Sequence, residues 1–209
     1  MGLLHFNHRA ALAFFRFQPS YVQPPATAYV PALIAAGNRS PLLHEPHMLG
    51  YLGLPLLSFA ALGLYLLGRD RRPLASAAAL AVSLVGAVYV GGLFGAWTAF
   101  FRGFGDVDPR FVEGATATWA AVTAPRGALL VTTWLAKLAI VGPALQALCL
   151  VGRRGVPAWA PFVAAAGYGV IVVFWDQDNW MMIGEALVLA AMVPMGAELR
   201  RVETPLATE

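Results

Sequence analysis

Residues 48–68 read MLGYLGLPLLSFAALGLYLLG, without one charged side chain. As a helix rising 1.5 Å per residue, this stretch spans roughly 31 Å, the thickness of the hydrocarbon core of a bilayer. It stops abruptly at Arg69, Asp70, Arg71, Arg72 and Pro73. Pro55 inside it predicts a kink and not a break, because neighbouring helices can satisfy the carbonyl that proline leaves free.

The same pattern repeats outward along the chain. A second uncharged run, 74–101, ends at Arg102 and carries Gly91 and Gly95 at the small-xxx-small spacing that lets helices approach closely. A third, 127–151, is broken only by Lys137 and ends at Arg153 and Arg154. A fourth, 157–175, ends at Asp176 to Asn179, and a fifth, 180–197, ends at Glu198, Arg200 and Arg201. Residues 103–126 form the longest polar interruption, within which Phe111 to Val122 reads as a short interfacial helix with Trp119 at headgroup level. The expected fold is therefore all-α: an integral membrane helical bundle over 47–201 with about five transmembrane helices, followed by a short cytoplasmic tail, 202–209. Residues 1–46 are expected to form an extracytoplasmic, interfacial segment. Arg16 and the prolines of QPSYVQPP (18–25) interrupt any crossing there, and 28–36 is too short to span.

Composition agrees. The chain is 59% hydrophobic and 12% charged, about half the charge density of ordinary soluble domains. A net charge of +3, dispersed along the chain, excludes a nucleic-acid-binding surface. The single cysteine, Cys149, has no intrachain partner and reads as a small buried hydrophobe. Lys137 is the only lysine among 14 basic residues, and the preference for arginine, alanine and glycine is that of a GC-rich bacterial genome. No small-residue cleavage site follows the apolar stretch near the start.

Arginine placement sets the expected orientation. Arg69, Arg71 and Arg72, then Arg153 and Arg154, then Arg200 and Arg201 follow runs one, three and five. Five crossings put these three places on one side, and the positive-inside rule makes that side cytoplasmic, with the N-terminus outside. The expected location is the cell inner membrane, as a multi-pass protein.

Few residues carry candidate chemistry. Lys137 stands deep in an apolar run, where a charged side chain must face the bundle interior and find a partner; Glu185 in the fifth run is the expected one. The pair reads either as an ion pair pinning two helices, which is preferred, or as a proton- or ion-handling pair lining a cavity. His5/His8 and His44/His47 lie at i, i+3 spacing. His44 and His47, with Asp176 or Asp178, would make an outer-face divalent-metal site. Histidines at a membrane interface explain the same pattern without metal, and Pro46 disfavours a regular helix there. Asp176, Asp178 and Asn179 form an outer-face polar cluster, bracketed by Trp175 and Trp180 as an aromatic belt would be. No GxGxxG, P-loop, HExxH or GxSxG element is present.

Three function classes follow. The favoured one is a structural or accessory membrane component, acting as a subunit beside a membrane-protein partner or as a homo-oligomer in the lipid bilayer. The second is a transporter or channel-like protein using Lys137 and Glu185. The third is a membrane-embedded enzyme with a metal at the outer face.

Overall fold

The computed structural model describes residues 27, 30, 31, 34, 45–105, 107–122, 128–174 and 178–203. Among these residues every regular element is helical. Helix α1 is Glu45–Gly68, α2 Pro73–Gly105, α3 Val112–Val122, α4 Ala128–Ala136, α5 Leu138–Cys149, α6 Ala160–Val173 and α7 Asp178–Glu203; a 3-10 turn, Pro109–Phe111, precedes α3. Pro55 lies inside an unbroken α1, as expected. The third apolar run is two helices, α4 and α5, meeting at Lys137. Among the described residues, three helical segments are long and apolar enough to cross a membrane: Pro73–Ala96, Val131–Cys149 and Trp180–Arg201. Gly53–Gly68 and Ala160–Val173 are apolar but shorter. With 33 residues, α2 is roughly 50 Å long and exceeds a hydrocarbon core; α6, with 14, is roughly 21 Å and falls short of one.

The chain forms two compact units, the first from residues 1–54 and 88–136, the second from 55–87 and 137–209. In the first, Val30, Ile34, Val90, Leu93, Trp119 and Ala136 are buried. Trp119 is 1% exposed, so protein surrounds its indole.

The second unit has a core of Leu64, Leu67, Leu150, Tyr168, Ile171 and Met195, interleaved with Ala147, Ala160, Ala164 and Ala191. Its helices meet through small residues, because without a hydrophobic drive in lipid the backbones must approach for dispersion to act. A β-carbon placed on Gly86 of α2 would fall 1.8 Å from the Ala139 nitrogen, and one on Gly142 of α5 would fall 2.4 Å from the Ser83 nitrogen. Gly167 of α6 and Gly184 of α7 meet reciprocally, each facing the other's carbonyl oxygen at 2.6 and 2.7 Å from the built β-carbon. The Gly91/Gly95 spacing does not mark the pinch. Gly91 only meets the Leu54 side chain at 3.1 Å, and nothing lies within 4 Å of Gly95.

The outward faces are apolar. Leu74, Val88, Leu56 and Val173 are each more than 70% exposed, an arrangement suited to lipid and costly in water.

Candidate functional site

The polar residues of the second unit fall at three levels. The first is Lys137. Its own backbone is right-handed helical, and its carbonyl accepts from the amides of both Ile140 and Val141 at 3.0 Å. Its ammonium donates to the Val172 carbonyl at 3.4 Å. Val172 belongs to the last turn of α6, whose final four carbonyls have no partner within the helix. A cation placed there also meets the negative end of the helix dipole. Lys137 thus stands at the C-terminus of the short α6, a placement that follows from α6 ending at Val173 rather than running the length of its neighbours. The lysine is half-buried. Glu185 follows Gly184 on α7 and is exposed.

The second level is a buried polar node that sequence inspection missed. Gln146 of α5, fully buried, donates through Nε2 to the Ala61 carbonyl of α1 at 2.8 Å. Its Oε1 accepts from the Ser83 hydroxyl of α2 at 3.2 Å, and that hydroxyl also lies 2.9 Å from the Ala79 carbonyl. A lone amide in an apolar run was the available signal, since a buried amide must find partners. Nothing in one dimension named them.

The third level is the arginine end. The Arg153 guanidinium donates to the Leu67 carbonyl near the end of α1, and the Arg71 guanidinium donates to the Gly152 carbonyl. Gly152 and Gly155 adopt positive φ of 76° and 83°. The Glu198 carboxylate of α7 packs directly on Gly155. The ends of α1, α5 and α7 are therefore gathered at one end of this unit, as arginine placement predicts. Along α5, twelve residues separate Lys137 from Cys149, so the lysine lies roughly 18 Å from that end.

Beyond Lys137, the Phe174 and Trp180 rings stack with centroids 4.7 Å apart and planes 15° from parallel, closing the α6–α7 connection. In the first unit, Asp108 accepts from the Arg110 amide and guanidinium at 2.9, 3.0 and 2.7 Å. That side-chain bond chiefly holds the Asp108 carboxyl below its ordinary value and raises the Arg110 pKa.

His44 and Asp176 lie outside the described residues, as do the side chains of His47, Asp178 and Asn179. Among the described residues, no three His, Cys, Asp or Glu side chains come together as a metal site. Cys149 is buried, as a small hydrophobe would be. No protein family, curated protein or solved structure matches the chain.

Proposed function

We propose that this is a small polytopic membrane protein with a structural or accessory role, acting as a subunit or homo-oligomer. On this reading it crosses the cell inner membrane five times, with its C-terminus cytoplasmic. One observation carries the reading: four polar side chains of the second unit donate to backbone carbonyls of other segments. Lys137 faces Val172, Gln146 faces Ala61, Arg153 faces Leu67 and Arg71 faces Gly152. Groups used this way fasten helices, and the fully buried Gln146 has both ends of its amide engaged. Arginines at one end, with none among residues 175–179, support the orientation.

A second reading is transport, with Lys137 and Glu185 lining a pathway. The helix interruption at Lys137 favours it, since transporter sites form where helices are discontinuous. Reconstitution separates the two. The structural role expects vesicles containing the protein to be no leakier to protons and small ions than empty vesicles, and Lys137→Met only to lower the unfolding midpoint. A protein-dependent flux abolished by Lys137→Met would transfer the conclusion to transport. A third proposal, an outer-face divalent metal on His44 and His47, is tested by metal analysis of the purified protein before and after His44→Ala.

A further inference from the structure

Seven arginines lie in the three segments that meet at the arginine end: Arg69, Arg71, Arg72, Arg153, Arg154, Arg200 and Arg201. The same segments hold three carboxylates, those of Asp70, Glu198 and Glu203. Several of the guanidiniums have partners within the unit. Arg71 and Arg153 are held on carbonyls, Arg69 lies 3.7 Å from Asp70, and Arg201 lies 3.9 Å from Glu198. Between the two left-handed glycines, the loop turns Arg153 partly inward and leaves Arg154 exposed; Arg72 is exposed as well.

Apolar surface begins directly beside this charge. Leu74, two residues after Arg72, is 85% exposed, and Trp159 and Phe162 at the start of α6 are 51% and 56% exposed. A cationic rim bordering exposed apolar side chains is complementary to a molecule with an anionic head and apolar tails. Neither a free anion nor a soluble acidic segment would use both parts. We infer that the rim around Arg72 and Arg154 binds the phosphate headgroup of anionic phospholipids, with the acyl chains running along Leu74 and Phe162. The inference rests on the bilayer reading and adds a preference among its lipids.

The test uses the full chain in neutral detergent, comparing phosphatidylglycerol, phosphatidylcholine of the same acyl chains, and inorganic phosphate. Retained lipid is read by native mass spectrometry, and the shift in unfolding midpoint is read beside it. An arginine near an anionic surface is worth about fivefold in partitioning, so Arg72→Gln with Arg154→Gln is expected to cut the phosphatidylglycerol preference roughly thirtyfold. Arg110→Gln, in the other unit, is expected to leave it unchanged. The wild-type preference should also fall steeply with added salt, a readout that does not depend on the variants folding. Equal retention of the two lipids, or a preference that ignores salt, overturns the proposal while leaving an integral membrane protein. Stabilisation by millimolar phosphate equal to that by phosphatidylglycerol overturns it in favour of a free anion. Recovery of the chain in the aqueous fraction would instead remove the bilayer reading itself.

Discussion

Gln146 donates to the Ala61 carbonyl at 2.8 Å across 85 residues of sequence, inside the second unit. The bond joins α5 to α1, and the Ser83 contact adds α2, so one amide registers three helices. Interhelical hydrogen bonds of this kind contribute about 0.6 kcal/mol on average and seldom more than about 1.7 kcal/mol. Gln146→Leu, which keeps most of the volume, should therefore lower stability by about 1 kcal/mol. Gln146→Ala should lower it further, because a cavity is added to the lost bond. Unfolding in a titration of denaturing detergent measures both. Equal losses would assign the role of Gln146 to its hydrogen bonds alone, and a neutral Gln146→Leu would assign it to packing.

The pinch at Gly86 is steric and should respond as such. Gly86→Ala places a methyl 1.8 Å from a backbone nitrogen of α5, which no rotamer relieves, and the helices must separate. A loss of about 3 kcal/mol or failure to accumulate is expected, at the upper end of overpacking costs. Gly95→Ala, with open space around it, should be neutral within about 0.5 kcal/mol and serves as the control.

Ser76 offers a gain. Its hydroxyl is buried and finds no hydrogen-bond partner among the described residues, facing Gly68 instead. Burying such a group costs about 1–3 kcal/mol, and alanine is also the better helix former. Ser76→Ala is expected to raise the unfolding midpoint; a fall would mean the hydroxyl is satisfied by water.

Acid should release the Asp108–Arg110 turn. The bond to Arg110 depresses the Asp108 carboxyl below its ordinary value of 3.8. The turn's contribution is therefore complete above that value and is lost as pH falls through the lowered one. The Arg110 side-chain nitrogen resonance should follow this transition in NMR. Asp108 should return to the ordinary carboxylate range in Arg110→Gln. A titration unmoved by that substitution would separate the two groups.

Lys137 should matter to α6 more than to the helix that carries it. Lys137→Met removes the cation facing Val172 and should cost about 0.5–1 kcal/mol. Faster hydrogen exchange is expected over 170–174. Loosening confined to α5 would argue against a role at the end of α6.

Much was legible in one dimension. Apolar runs some twenty residues long, most of them ending in arginines, determined an all-helical chain made for lipid, because helix formation there needs only local backbone bonds and apolar side chains. They also determined that the ends of α1, α5 and α7 lie together. Tertiary structure decided which residues meet. That Lys137 caps α6 depends on α6 being one of the short helices, that Gln146 reaches Ala61 depends on how α5 lies along α1, and that Gly86 rather than Gly91 takes the close contact depends on where α2 crosses α5. Each is a distance between segments far apart in sequence. Apolar periodicity in lipid says which residues are helical and is silent on which face meets which neighbour, because every face of such a helix is apolar.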